Sequence, residues 1–226
     1  MTPSLRASAA HVFVVDIEAP FLEEVDRHHL CRVLRLRDNE VVTASDGHGQ
    51  WRTCRFTKDD ITPDSSIFSV AAPARRLAVA IVPVKGDRTD SAVEKLVELG
   101  IHEIIILLAT DHGVVHWNAD RGAHHLERLQ RIARSSAMQS RRVWLPILTG
   151  PTPLADVLLR TGVALAEPGG RPIEKHDHVI VIGPEGGFSG AEVARAPTTV
   201  SLGLNVLRAD TAAVVAATLM VAHGEC

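Results

Sequence analysis

The chain has 226 residues, of which 46% are hydrophobic and 23% are charged, a composition that is ordinary for a globular protein and excludes a disordered chain. The net charge of −3 excludes a protein that is coated in positive charge for nucleic acid, although a local basic surface is still compatible with it. No apolar run has the length of a membrane span, and no apolar segment typical of a secretory signal is found near the N-terminus.

The cysteines and histidines are not spaced as disulfide partners or metal ligands. Cys31, Cys54 and Cys226 are odd in number and form no C-x-x-C pair, so we expect free thiols and a reducing, cytoplasmic location. Among the twelve histidines, the adjacent pairs at 28–29 and 124–125 diverge on a helix and cannot share an ion. We therefore expect no metal site and no membrane partner.

The first 72 residues predict a small β-rich domain. Strands are expected at residues 11–17, 41–44 and 51–56, and the turn Asp-Gly-His-Gly at 46–49 joins the last two strands as a hairpin. Two prolines among serine and alanine at 62–73 indicate the end of this domain, so its boundary is placed near residue 72.

One short helix in this domain is predicted to carry a basic ridge. Asp26 is expected to cap the helix, and Leu30, Val33 and Leu34 are expected to form its apolar face. The opposite face would hold three basic side chains, His28, Arg32 and Arg35. Arginines in such a cluster suit phosphate contacts, although a solvated helix face has the same composition.

From residue 77 onward, predicted strands and helices alternate. Strands are expected at 77–84, 103–109, 143–148, 163–166, 179–182 and before 202–203, and helices at 89–99, within 121–142, at 153–160, after 189 and at 211–223. Gly100 is expected to end the first of these helices. The alternation predicts an α/β fold with a mostly parallel sheet and helices on both faces. The last helix is apolar nearly all round and must be buried, in the core or against a second subunit.

Two segments near the end of the chain predict a ligand site. The strand at 179–182 runs into the loop Gly-Pro-Glu-Gly-Gly at 183–187, and Ser189 with Glu192 forms a capping box for the next helix. The second segment, Leu-Gly-Leu-Asn-Val-Leu-Arg, covers 202–208 and leads into the last helix. Glycine turns are common in α/β proteins, so the prediction depends on both segments occurring together.

Together these segments resemble the RsmE family of ribosomal RNA uracil methyltransferases, in the SPOUT superfamily. Two earlier blocks also resemble that family, in the same order: HHLCRVLRL at 28–36, and KGDR at 85–88 before a helix that contains Lys95. The resemblance therefore extends from about residue 28 to the C-terminus.

The resemblance implies a PUA-like RNA-binding domain at 1–72 and a SPOUT methyltransferase domain at 73–226. It implies a trefoil-knotted, mostly parallel sheet with the last helix threaded through the knot, and a homodimer. It also implies S-adenosyl-L-methionine as the cofactor, 16S ribosomal RNA or the small ribosomal subunit as the partner, and N3 of a uracil as the methylated atom. The sequence does not indicate whether free RNA or the assembled subunit is the substrate.

The resemblance also implies which residues form the site. The implied cofactor residues are Leu165, Gly183, Pro184, Glu185, Gly186, Gly187, Leu202, Gly203, Val206, Leu207 and Thr211. The candidate RNA contacts are His29, Arg32, Arg35, Lys85, Arg88, Gln139, Arg141 and Arg142.

Arg208 is the candidate catalytic residue. Removal of the N3 proton spreads negative charge over the two carbonyl oxygens of uracil, and a fixed cation near them would lower the barrier. In a second interpretation, Arg208 only pairs with Glu185 or Asp210 and holds the two loops together. The sequence identifies no general base.

The chain departs from the family pattern at positions that face RNA by resemblance. Asp111 and Val115 stand where basic residues are frequent, residues Ser135–Met138 lack the acids that often precede Gln139, and LRADTA replaces LRTETA. These departures leave two alternatives open: a SPOUT methyltransferase that acts on another RNA position, such as a ribose 2′-hydroxyl, and a non-catalytic RNA-binding assembly factor.

Overall fold

The polypeptide crosses three times between two units in the computed structural model, which describes residues 3–115, 117 and 119–223. One unit comprises Met1–Pro73 and Arg134–Leu145, and the other comprises Ala74–Ala133 and Pro146–Cys226. The first crossing lies next to the boundary that composition indicates near residue 72. No pattern in the sequence indicates the second segment of the first unit.

The first unit is built on a five-stranded sheet. Its strands are β1 (Ala10–Phe13), β2 (Val41–Ser45), β3 (Gln50–Thr57), β4 (Asp60–Pro63) and β5 (Phe68–Ser69). β1 pairs in parallel with β2, and the other pairs, β2 with β3 and β3 with both β4 and β5, are antiparallel. The predicted hairpin is confirmed, with Asp46 Oδ1 accepting the backbone N–H groups of His48 and Gln50. The first strand is shorter than the predicted 11–17, because β2 ends at Ser45 opposite Phe13.

The predicted basic helix has a different form from the one expected. It consists of α2 (Glu24–His28) and a π-helical turn at His29–Val33, and Glu23, not Asp26, is the residue at its N-cap. Leu30 is fully buried as predicted, but Val33 and Leu34 are 60% and 45% exposed. A π turn holds more residues than an α turn, so the side chains after Leu30 rotate out of the predicted apolar face.

Asp26 is instead a buried partner of an arginine from the second segment of this unit. Its carboxylate oxygens accept hydrogen bonds of 2.9 and 2.7 Å from Arg134, which also donates to the carbonyl of Phe13 at 3.0 Å. The hydrogen bond to Asp26 is the main reason that the pKa of Arg134 is raised, against the opposing effect of burial. Arg134 therefore joins the last turns of its helix to the start of the first sheet.

Replacing Asp26 with Asn is expected to lower the free energy of unfolding by about 2 kcal/mol, because Arg134 would keep a largely buried charge without its partner. Asp64, which pairs with Arg55 at the surface, provides the control. Asp64→Asn should cost less than about 1 kcal/mol. Urea unfolding followed by the fluorescence of the buried Trp51 would measure both, and equal losses would contradict the prediction.

The second unit contains a six-stranded sheet in which every neighbouring pair is parallel, as the sequence predicts. Its strands are β6 (Ala78–Ile81), β7 (Glu103–Leu107), β8 (Ile147–Thr152), β9 (Val163–Arg171), β10 (Val179–Ile182) and β11 (Thr199–Val200), in the order β11-β9-β10-β6-β7-β8. The strand predicted at 143–148 begins only at Ile147. Trp144, before this strand, belongs to the first unit and forms an isolated β-bridge there with His48.

Helices pack on this sheet at the positions that the alternation predicts. The other helices are α1 (Pro3–Ala7), in the first unit, α3 (Arg88–Glu98), α4 (Ala119–Gln139), α5 (Leu154–Leu158), α6 (Gly190–Arg195) and α7 (Ala209–Ala222). Side chains of α5 and α6 pack against alternate residues of β6 and β10, and α7 contacts the same strands and α3. Gly100, with φ +88°, follows the end of α3 as predicted.

Neither a membrane span nor a metal cluster is found in the described part of the chain. No helix there is long and apolar enough to cross a membrane, and no three His, Cys, Asp or Glu side chains are placed to hold an ion.

Cys31 and Cys54 are free thiols, and burial is the main reason that the pKa of Cys54 is raised to about 11. Cys226 lies outside the described residues.

Candidate functional site

A pocket of about 330 Å³ lies beside β9 and at the ends of β10 and β11. Its lining comes from three segments: 166–168 of β9, 182–188 after β10, and most of 201–212. Its volume is in the range of small-molecule sites, and ligands of open parallel sheets bind at the carboxyl ends of the strands. Both glycine-containing segments that the sequence singles out thus meet at one pocket.

The loop after β10 has a shape that requires glycine. Gly187 has φ +71° and donates its N–H to the carbonyl of Pro184 at 2.9 Å, which closes a tight turn. A Cβ atom on Gly183 would lie 2.7 Å from the ring of Phe188. The pocket wall therefore combines a turn that excludes side chains with an aromatic ring packed directly on the backbone.

The capping box predicted at the start of α6 is confirmed. Ser189 Oγ accepts the N–H of Glu192 at 3.2 Å, and Glu192 Oε2 accepts the N–H of Ser189 at 2.8 Å. The other oxygen of the buried Glu192 accepts the N–H of Asp111 at 3.0 Å, and Ser189 Oγ donates to Asp111 Oδ2 at 2.5 Å. His112 Nδ1 lies 3.2 Å from the carbonyl of Gly186. Asp111, one of the departures from the family pattern, and its neighbour His112 thus form hydrogen bonds with the glycine loop and with the start of α6.

Nine of the eleven predicted cofactor residues line the pocket, and Leu165 and Thr211 do not. Side chains alternate along a strand, so Leu165 faces the hydrophobic core whereas its neighbour Ala166 faces the pocket. In the first turn of α7, Ala209 and Ala212 line the pocket and Thr211 borders a separate, smaller cavity with residues of α3.

The resemblance implies that the loop after Leu165 closes one side of the cofactor cleft, but several lining residues were not named from the sequence. The main ones are Glu167, Pro168, Phe188, Ser201 and Asn205. Glu167 and Pro168 follow directly on the predicted strand 163–166, which continues as β9 to Arg171. The position of that pair at the carboxyl end of a predicted parallel strand was the available signal.

Two carboxylates are the charged groups of the pocket lining, and they differ in their partners. Glu185 forms an ion pair with Arg88 at the start of α3. Glu167 Oε1 accepts the backbone N–H of Phe188 at 3.3 Å, and none of the described cations forms an ion pair with Glu167. One lining carboxylate is therefore compensated and the other is not.

Arg208 occupies the N-cap of α7, between the lining residues Leu207 and Ala209. Its side chain is exposed, and within the described ranges it forms no ion pair with Glu185 or Asp210. Glu185 is paired with Arg88 instead. The interpretation in which Arg208 only ties the loops together through one of these carboxylates therefore has no contact to support it.

The candidate RNA contacts fall into two groups. His29, Arg32 and Arg35 are exposed in the first unit, as is Gln139, and Lys85 is exposed in the second unit beside the half-buried Arg88. Arg141 and Arg142 are instead built into the first unit. Arg141 Nη1 donates to Ser8 Oγ at 2.5 Å, and burial lowers the pKa of Arg142 to about 10.

Comparison with known proteins matches both parts of the chain to RNA methyltransferases. Residues 71–221 match the family described as RNA methyltransferase domain, and residues 22–64 match the RNA methyltransferase PUA domain. A Rickettsia conorii protein named ribosomal RNA small subunit methyltransferase E is 28% identical over 157 residues, which are 62% of each chain. The chain thus covers less than two thirds of that relative.

Two further matches cover more of the chain. A Mycobacterium bovis protein of the same name is 28% identical over 214 residues, 83% of this chain and 80% of that protein. The structure of ribosomal RNA small subunit methyltransferase E from Neisseria gonorrhoeae, bound to S-adenosyl methionine, has a TM-score of 0.80 at 24% identity. It covers 94% of this chain and 97% of its own. That likeness shows a common fold.

Proposed function

The chain belongs to the RsmE family of RNA methyltransferases, and from this membership we propose that it transfers the methyl group of S-adenosyl-L-methionine to N3 of a uracil in 16S ribosomal RNA. The observation that carries the proposal is the pocket formed by the two glycine-containing segments together. The cofactor in the Neisseria gonorrhoeae structure and the names of the two relatives support it. The choice of uracil N3 rests on the family resemblance.

The pocket would hold the methyl donor, and the main task of the protein would be to align the donor with the acceptor base. S-adenosylmethionine supplies a methyl group that its positive sulfur already activates, so the protein has to keep donor and acceptor in line. The exposed backbone of Gly186 and Gly203 would allow close approach, and Arg208 would stabilise the charge that develops on the uracil oxygens. The Watson–Crick edge of the target base must be unpaired or extruded for N3 to be reached.

We propose a homodimer in the cytoplasm as the working form. Leu204 and Val206 are almost fully exposed beside the pocket, and a second copy would cover them. The basic residues Arg32 and Arg35 of the PUA domain, with Lys85 near the pocket, would contact RNA phosphates. The knotted threading of α7 stays a prediction of the resemblance.

Nucleoside analysis of small-subunit RNA tests the proposed function. RNA from cells with and without the gene would be digested and analysed by mass spectrometry, and purified protein with S-adenosylmethionine would then be added back. Loss and restoration of 3-methyluridine is expected. An unchanged 3-methyluridine content would overturn the substrate assignment, and loss of a ribose-methylated nucleoside would support the alternative acceptor.

Replacing Gly183 with Ala is expected to weaken S-adenosylmethionine binding about tenfold, because the added methyl group would displace the Phe188 ring from the pocket wall. Gly190, at the first position of α6, has open space around it and is the matched control. Gly190→Ala should leave the Kd within about twofold. Isothermal titration calorimetry would measure both, and equal Kd values for the two variants would refute the steric argument.

A further inference from the structure

We propose that Glu167 makes the pocket prefer the positively charged methyl donor over the neutral product of the reaction. The inference rests on the proposed function, since it assigns S-adenosylmethionine to this pocket. It concerns a residue that the sequence patterns do not single out.

The lining of the pocket has an uncompensated negative charge. Its two charged side chains are Glu167 and Glu185, and the ion pair with Arg88 neutralises Glu185. Glu167 is half-buried, and only its Oε1 is engaged, by the N–H of Phe188 at 3.3 Å. Oε2 has no hydrogen-bond partner among the described residues, so it can face an occupant of the pocket.

The reaction changes the charge of the occupant. In the transfer step N3 gives up its proton to water and forms a bond to the methyl carbon, the bond between that carbon and sulfur breaks, and the electron pair of that bond returns to sulfur. The sulfonium becomes a neutral thioether, so S-adenosylhomocysteine has one positive charge fewer than S-adenosylmethionine. The ribose, the adenine and the amino-acid end are the same in both molecules.

A fixed carboxylate distinguishes these two molecules by long-range attraction. A pocket of about 330 Å³ keeps most of its occupant within roughly one Debye length, about 8 Å, of Glu167. The partly closed pocket screens the attraction between the Glu167 carboxylate and the sulfonium less than open solvent does. This attraction raises the affinity for the donor and does not raise the affinity for the product, which lacks the positive charge. Glu167 would thereby favour product release and donor rebinding.

Glu167→Gln is the variant that tests this inference, because the amide keeps the shape and can still accept the N–H of Phe188. Binding of S-adenosylmethionine, S-adenosylhomocysteine and sinefungin, an analogue with an ammonium group near the position of the sulfonium, would be measured by calorimetry. We expect about tenfold weaker binding of the two cationic molecules and a change below about twofold for S-adenosylhomocysteine. Asp156→Asn changes the net charge equally on α5, outside the pocket lining, and should change none of the three.

Two results of the Glu167→Gln comparison would overturn the inference alone. Equally weaker binding of all three molecules would mean that Glu167 contacts a group that they share. Unchanged binding of all three would mean that the charge of Glu167 does not contribute to their affinity. A failure of the unsubstituted protein to bind S-adenosylmethionine would overturn the proposed function, and the inference with it. Added salt gives a readout that needs no variant, since it should weaken S-adenosylmethionine binding more than S-adenosylhomocysteine binding. Equal salt dependence would contradict the inference.

Discussion

Replacing Arg208 with Ala is expected to lower the turnover number for methyl transfer about 100-fold, while the Kd of S-adenosylmethionine changes less than about threefold. Arg208 is the N-cap residue of α7 and stands next to two lining residues, and its exposed guanidinium forms no ion pair with a described carboxylate. It is therefore free to approach the negative charge that develops on the acceptor. That negative charge arises only during the reaction. Removal of the Arg208 guanidinium should therefore lower turnover and leave donor binding unchanged.

Arg195, an exposed arginine at the end of α6, is the matched control for Arg208. It lies outside the lining of the donor pocket, so Arg195→Ala should leave turnover within about twofold. Arg208→Lys keeps a positive charge and should recover part of the lost rate. A parallel fall of turnover and donor affinity in Arg208→Ala would assign Arg208 a role in binding the donor and contradict the catalytic role.

The second large effect concerns the buried His11 of the first unit. Its Nε2 lies 2.9 Å from the carbonyl of Arg142, so this nitrogen carries the proton, and its Nδ1 lies 2.9 Å from Thr43 Oγ1 and accepts from that hydroxyl. Burial is the largest cause that lowers the pKa of His11 to about 4, the carbonyl of Arg142 opposes the shift, and the charge of Arg141 adds to it. The folded protein therefore holds this imidazole neutral.

Stability is expected to fall by about 2 kcal/mol between pH 7 and pH 5 because of His11 alone. In the window from about pH 6.5 down to about pH 4, an unfolded chain binds a proton at this histidine and the folded protein does not. Acid therefore favours unfolding. The contribution of the neutral His11 to the free energy of unfolding is fully present only above about pH 6.5. Urea unfolding at both pH values would measure the loss.

The variant His11→Gln separates this contribution from other titrations. Its loss of stability between pH 7 and pH 5 should be smaller than that of the unsubstituted protein by about 2 kcal/mol. Since the variant can itself be less stable, an NMR titration of His11 in the folded, unsubstituted protein is a second test. A His11 resonance that titrates near pH 6.5 would refute the prediction.

Features that depend on near neighbours in the chain are predictable from the sequence. The capping box of Ser189 and Glu192, the helix stop at Gly100 and the hairpin at Asp46 all arise from hydrogen bonds or backbone angles within a few residues. The parallel sheet follows from the strict alternation of elements. The pocket follows with it, because carboxyl ends of adjacent parallel strands meet at one edge.

Features that depend on distant partners are not predictable in this way. The π turn after His28 changes which side chains face inward without any change in apolar composition. Asp26 resembles a helix cap in the sequence, but Arg134, more than a hundred residues later, gives it a buried role. The place of Glu167 after a predicted strand is visible in the sequence, but its hydrogen bond with the N–H of Phe188, twenty-one residues later, forms only in the folded sheet.

The return of residues 134–145 to the first unit affects the order in which the protein can fold during synthesis. The N-terminal sheet is translated first, but Asp26 and His11 obtain Arg134 and the carbonyl of Arg142 only after more than sixty further residues have been added. Until then the carboxylate of Asp26 lacks its arginine partner, and the imidazole of His11 has only Thr43 of its two hydrogen-bond partners. A fragment that ends near residue 72 would remain in that incomplete state, so we expect that the first unit cannot be excised intact at its apparent boundary.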